Sequence, residues 1–285
     1  MTDIDENLVR QLITAQFPQW RALPIRSVAN QGWDNRTFRL GDDLTVRLPS
    51  AAGYVPAVAK EDRWLPRLAP FLSVPIPVPV AVGTPSEAYP FPWSIRRWLH
   101  GHPLDSQKPD DPTRLAEQLG AFLVMLRSAP PDGPLAGSHS FYRGCHPSAY
   151  GDQVQTALAK LGPAVDAASC WAIWKAGTAT VWTEQPVWFH GDVAAGNVLI
   201  DDDGLAAMID FGTSGVGDPA CDLQIAWTYF SPPERQVLRR SAGLDDDCWH
   251  RARAWALWKE LIGHADSPDG RPAHVLQEIL DDPVV

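Results

Sequence analysis

The stretch that most constrains this chain is 187–211. An apolar run, Val187-Trp188-Phe189, delivers His190-Gly191-Asp192, and Asn197 follows five residues after the aspartate. Val198-Leu199-Ile200 and Leu205-Ala206-Ala207-Met208-Ile209 then read as two short strands, and Asp201-Asp202-Asp203-Gly204 between them has hairpin chemistry. Closing that hairpin would set Asn197 and Asp210, at the outer ends of its strands, side by side. Two acids and an amide in this order suit phosphoryl transfer. One carboxylate accepts the proton of an attacking hydroxyl, while hard oxygen ligands hold Mg²⁺ against the phosphates. Asp192 fits the first role, and Asn197 with Asp210 fits the second. Taken alone, Asp192 could be a helix cap, and Asp201, Asp202 and Asp203 read as a solvated turn.

The His-x-Asp-x-x-x-x-Asn and Asp-Phe-Gly elements follow the kinase pattern, with Gly191 where protein kinases usually carry Arg. Together with Asp218-Pro219-Ala220-Cys221-Asp222-Leu223 they resemble the aminoglycoside phosphotransferase family of antibiotic and small-molecule kinases. The resemblance implies a protein-kinase-like, two-lobed α+β fold. A small antiparallel-sheet N-lobe, residues 1–99, would bind nucleotide, and a larger, mainly helical C-lobe, residues 100–285, would carry catalysis and the acceptor. It implies Mg²⁺, ATP or GTP as donor, and a small hydroxylated acceptor, first an aminoglycoside or other antibiotic, with resistance by modification as the setting. Macrolides, nucleosides and amino-sugar metabolites are alternative acceptors, and a catalytically silent kinase-like binding module is the alternative outside enzymes. The missing Arg and the short 212–217 segment argue against a regulated protein kinase. By the same resemblance His190 and Asp222 brace the catalytic loop rather than react.

Further matches extend over the first hundred residues. Arg47, in Thr45-Val46-Arg47-Leu48, stands where a kinase carries the Lys that grips the phosphates, and Glu61 stands where its helix partner would be. Arg keeps the charge and adds a planar fork. Residues 31–35, with the single glycine Gly32, are placed as a flap over the triphosphate, although an ordinary turn would read the same. Arg97, Trp98 and Leu99 fall at the hinge, where their backbone would meet the nucleotide base; an ordinary strand end needs no ligand.

Charge is unevenly spread. Residues 1–100 carry 11 Lys/Arg against 9 Asp/Glu, whereas residues 101–285 carry 13 against 25. A slightly basic first part suits a polyphosphate, and an acidic second part suits a cationic acceptor or serves solubility alone. Nucleic acid is not an expected partner. No stretch is long enough to span a membrane, and the acidic start Met1-Thr2-Asp3-Ile4-Asp5-Glu6 is unlike a signal peptide, so a cytoplasmic monomer or homodimer is expected. Cys145, Cys170, Cys221 and Cys248 lack metal-ligand spacing and read as reduced thiols.

Helical spacing predicts helices over 5–17 with Asp5 as N-cap, from Pro112 on, and over 150–161, 163–184, 232–241, 245–262 and 273–281. Pro66 is expected to end or kink the helix that carries Glu61. The prolines of 74–80 demand extended backbone at a sheet edge or in a loop. Asp218 and Asp222 are placed at the start of a helix. Trp249, Trp255 and Trp258, with Asp245, Asp246, Asp247, Glu260 and Asp266, are candidates for an acceptor pocket.

Overall fold

The computed structural model describes residues 4–28, 31, 34–267 and 273–282. Gly32 and Trp33 of the expected flap lie outside them, as does the start, 1–3. The chain forms two compact units, Met1–Gly101 with Ala207–Gly212, and His102–Ala206 with Thr213–Val285. The segment holding Asp210 therefore packs with the first unit, not with the second part of the chain where the sequence places it.

In the first unit, α1 (Glu6–Gln16) opens where Asp5 accepts the Leu8 N–H at 2.8 Å. Its apolar face, Leu8, Val9, Leu12 and Ile13, is buried. Each such side chain contributes about 1.5–3 kcal/mol on leaving water. That face packs with residues of the antiparallel strands β1 (Ile25–Ser27), β2 (Asn35–Leu40) and β3 (Leu44–Pro49), among them Phe38, Leu40, Val46 and Leu48. α2 (Val55–Leu68) follows, then β4 (Pro79–Gly83) and β5 (Trp93–Arg97). The sheet order β1-β2-β3-β5-β4 leaves the proline-bearing strand at an edge, where a missing N–H costs no ladder bond. Pro66 does not stop α2 early. It sits in the last turn, and the helix ends two residues later at Leu68.

The second unit begins with β6 (His102–Pro103), which pairs with β8 (Val198–Asp201), itself beside β9 (Gly204–Met208). α3 (Pro112–Ser128) packs on α7 (Pro232–Ala242), and α4 (Gly151–Leu161) and α5 (Ala167–Thr178) pack on α8 (Asp246–Asp266). The helix expected over 163–184 is shorter because Asp166 resets the start: its carboxylate accepts the N–H groups of Ala168 and Ser169. Gly177 lets α5 approach α8 closely, since a Cβ there would lie 2.5 Å from that of Ala254. β7 (Val187–Phe189) pairs antiparallel with β10 (Gly215–Gly217). Asp218 caps a 3₁₀ turn, Pro219–Gln224, rather than an α-helix, before the short α6 (Ile225–Thr228) and, at the end, α9 (Ala273–Asp281).

Buried on nearly every side, α8 organises this unit. Asp245 caps it by accepting the Cys248 N–H at 2.8 Å. Its buried Arg251 donates to Asp218 at 2.7 Å, and its buried Arg253 donates to the carbonyls of Ile279 and Asp282. Buried charges are held only when paired in this way.

Candidate active site

On the first unit the site is built around Glu61. This buried carboxylate meets Arg47 Nη1 at 3.4 Å and Arg96 Nη1 at 3.1 Å through Oε2, while Oε1 accepts the backbone N–H of Phe211 at 3.1 Å. Burial alone would raise its pKa, but the two guanidinium groups outweigh burial and hold it below the usual carboxylate range. Arg47 and Glu61 are thus brought together as expected. Arg96 is an addition that the sequence did not announce. It is buried, and it is fixed by Asp62 Oδ1 at 3.0 Å and Ser94 Oγ at 3.0 Å.

Glu61 also anchors the segment that carries Asp210, since Phe211 follows it directly. Asp210 has φ +64°, a left-handed conformation uncommon outside glycine, and such outliers cluster at functional sites. Asp34 is a further acid on this side: burial and the charge of Asp210 push its carboxyl up, and Arg47 partly opposes them. At the expected hinge, the Trp98 N–H donates to Asp43 O at 2.8 Å, and its ring lies under Arg39 at 3.9 Å. Trp98 is therefore committed to the β2–β3 turn. Arg97 and Leu99 line an open cavity of about 570 Å³ together with Leu72 and Ile76.

The second unit holds the loop after β7. Asp222 lies buried beneath it and accepts two backbone N–H groups, His190 at 2.8 Å and Gly191 at 2.7 Å. His190 is fully buried, and its Nδ1 accepts the Asp192 N–H at 3.2 Å, which agrees with a bracing role. Gly191 has φ +90°, and a Cβ there would meet Thr213 Oγ1 at 2.7 Å, so no larger residue fits.

With the loop pinned, Asp192 is presented at its rim. Asn197 Nδ2 donates to Asp192 O at 3.0 Å and Asp192 Oδ2 at 3.2 Å, and Lys259 Nζ of α8 reaches Asp192 Oδ1 at 2.6 Å. Burial would raise the Asp192 pKa, yet Lys259, helped by His190 and Arg143, brings it below its ordinary value. The group is a carboxylate at neutral pH, as a proton acceptor must be. Beside it, Arg143 Nε donates to Gly191 O at 3.2 Å, and the guanidinium carbon lies 4.2 Å from the Trp258 ring.

Four of the five acids expected beside Trp249, Trp255 and Trp258 in an acceptor pocket are engaged elsewhere. Asp245 caps α8, Asp246 pairs with Arg239, Asp266 pairs with Lys160, and buried Glu260 stands against His264. The reason is the length of α8: Asp245 and Asp246 sit at one end, and Lys259 lies more than three turns further along.

A family model for phosphotransferase enzymes, known as APH, matches residues 26–255. The chain belongs to this phosphotransferase family. Solved structures with the same fold include the GDP complex of wild-type aminoglycoside 2'-phosphotransferase-IIIa, at 19% identity over 97% of this chain and 96% of that one, TM-score 0.70. The macrolide 2'-phosphotransferase MphH from Brachybacterium faecium gives 21% identity over 97% and 99%, TM-score 0.63. The streptomycin-ATP-APH(2")-IIa ternary complex gives 16% over 98% and 96%, TM-score 0.60. At these identities the likeness carries the fold: a small sheet-bearing N-terminal unit and a larger helical one, the protein-kinase-like α+β architecture. No curated protein matches the chain. No helix among the described residues is long and apolar enough to cross a membrane.

The phosphotransferase family implies a divalent cation, and each unit carries a hard oxygen of the kind such an ion takes. Mg²⁺ uses one or two protein oxygens and fills its other positions with water and phosphate. In the second unit Asn197 spends its Nδ2 on Asp192, so Oδ1 is the oxygen its amide would offer; in the first, Asp210 has its carboxylate. Among the described residues there is no cluster of three or more His, Cys, Asp or Glu that could cage a metal alone.

Proposed function

We propose that the chain transfers the γ-phosphoryl group of ATP or GTP to a hydroxyl of a small molecule. The observation that carries this reading is Asp192: an ionised carboxylate at the rim of a buried, pinned loop, oriented by Asn197 and Lys259. In the reaction the acceptor oxygen bonds to the γ-phosphorus as the bond to the β-phosphate oxygen breaks. The hydroxyl proton passes to Asp192, and the nucleoside diphosphate leaves. Arg47, steadied by Glu61, neutralises and positions the phosphates; Asn197 and Asp210 are the residues that would hold Mg²⁺, which would supply charge neutralisation at the phosphates. Arg97 and Leu99 would offer backbone to the base. Catalysis is then mostly positioning and electrostatics.

Within this reading the acceptor is a hydroxylated antibiotic or a related metabolite, modified so that it no longer acts. The aminoglycoside expectation drew on family resemblance and on the acidity of residues 101–285. The surface beside Asp192 carries Lys259 and Arg143 instead, which favours acceptors other than polycations. A catalytically silent module is opposed by the presence of Asp192, Asn197 and Asp210 together. The test is donor consumption by the purified protein with Mg·ATP and Mg·GTP across aminoglycosides, macrolides, nucleoside antibiotics and amino sugars. Acceptor-dependent turnover supports the reading, and nucleotide binding without turnover on any of these acceptors counts against it.

A further inference from the structure

The acceptor side of Asp192 is made of cations and aromatic rings. Lys259 Nζ sits 2.6 Å from Asp192 Oδ1 and is balanced by it. Arg143 makes no ion pair among the described residues: it acts on Asp192 only through its field, and its buried Nη1 meets no hydrogen-bond partner. Its Nε is tied to Gly191 O, the carbonyl just before Asp192. Its guanidinium carbon lies 4.2 Å from the ring of Trp258 and 5.4 Å from that of Trp255. A guanidinium lying over two indoles, with one donor that meets no partner, is suited to a carboxylate or phosphate.

Of the neighbouring acids, Asp192 is already paired with Lys259, and the others are spent elsewhere. Glu260 is buried against His264, Asp218 is buried against Arg251, and Asp222 is spent on the two loop amides. Asp105 flanks the loop at Gly196, where a Cβ would lie 3.1 Å from its carboxylate oxygen.

Aromatic surface continues outward from Arg143. Tyr150 stacks on Trp258 at 4.2 Å, and Tyr142 packs edge-on against Tyr150. Phe141 and Tyr142 are both exposed, and both have left-handed backbone, φ 48° and 55°. Two adjacent bulky residues in that region are strained, which is sustained where a loop holds side chains for use.

We infer that the acceptor carries an anionic group on a flat scaffold beside its reacting hydroxyl, and that Arg143, laid on Trp258 next to the Asp192 loop, reads that anion. The inference rests on the phosphotransferase reading for the hydroxyl, but the charge preference is a property of the binding face.

The test uses the full chain and a matched pair of flat alcohols, 4-(hydroxymethyl)benzoate and 4-(hydroxymethyl)benzylamine. Binding is read by tryptophan fluorescence and calorimetry without nucleotide, and phosphoryl transfer is read separately with Mg·ATP. A charge-assisted hydrogen bond predicts that the carboxylate binds about tenfold or more tightly than the amine. Arg143→Gln should abolish that ratio while leaving ATP affinity unchanged, and Arg143→Lys should keep part of it. Equal affinities, a preference for the amine, binding of neither probe at millimolar concentration, or a ratio that survives in Arg143→Gln would overturn the inference. If Arg143 instead serves the transferred phosphoryl group, Arg143→Gln slows transfer to all acceptors alike and leaves the ratio intact, which also overturns it. A carboxylate preference without transfer to any acceptor leaves this inference standing and removes the phosphotransferase reading.

Discussion

Lys259 Nζ lies 2.6 Å from Asp192 Oδ1, although 67 residues separate the two. α8 thus reaches from the core of the second unit to the catalytic loop and holds one oxygen of the proposed base, while Asn197 holds the other. Lys259→Met should free that carboxylate to rotate. A misplacement of about 1 Å can cost about 10²-fold, so kcat should fall by about that factor while nucleotide affinity is kept. Lys259→Arg should recover part of the loss, and steady-state kinetics with both variants decides the matter.

Glu61 is the corresponding anchor on the first unit. Breaking a buried pair by removing one partner costs about 3–5 kcal/mol, and Glu61→Gln should fall toward the lower end because Arg96 keeps Asp62. The pKa of Glu61 is held below its unfolded value, so its stabilisation is complete above the ordinary 4.5 and is lost as pH falls through the lower folded value. Denaturant unfolding should therefore show the gap between wild type and Glu61→Gln shrinking below that range and constant above it.

At Gly191 conformation and space agree. Gly191→Ala places a Cβ 2.7 Å from Thr213 Oγ1 at φ +90°, and should cost about 1–3 kcal/mol of stability for the strained backbone. Gly191→Arg, which restores the protein-kinase residue, should be worse. Thermal unfolding of the two variants gives the order.

Asp222→Ala leaves the N–H groups of His190 and Gly191 buried without an acceptor, at about 1–3 kcal/mol each. Asp222→Asn keeps one acceptor oxygen and should lose less. Hydrogen exchange at those two amides should accelerate more in Asp222→Ala than in Asp222→Asn, and unchanged exchange in both would mean that Asp222 does not pin the loop.

Asp192, Asn197 and Asp210 were legible because their spacing is local: a loop and a hairpin fix them within 19 residues. Arg47 and Glu61 were legible only through an imported pattern, and the structure gives their pairing a distance. Arg96 was not legible. Strand alternation reports which face a residue takes, but not that two adjacent acids on α2, Glu61 and Asp62, would make an arginine tolerable inside. Lys259 and Arg143 were hidden for a related reason. Their positions depend on the register of α8 and on a Gly- and Pro-rich loop, and neither leaves a periodic trace. Lys259 is the only lysine of α8 and lies one turn beyond Trp255, the one signal that could have marked it. The helix over 163–184 was overextended because helical spacing does not see an N-cap such as Asp166 inside an otherwise apolar run.

The central claim is that Asp192 takes the proton of an acceptor hydroxyl during phosphoryl transfer. Its most direct test is single-turnover transfer of γ-labelled phosphate to an accepted substrate by wild type and by Asp192→Asn, an isosteric change that keeps the Asn197 contact. The predicted result is a loss of about 10²–10⁴-fold in the transfer step with nucleotide affinity unaltered. Transfer at the wild-type rate by Asp192→Asn would contradict it.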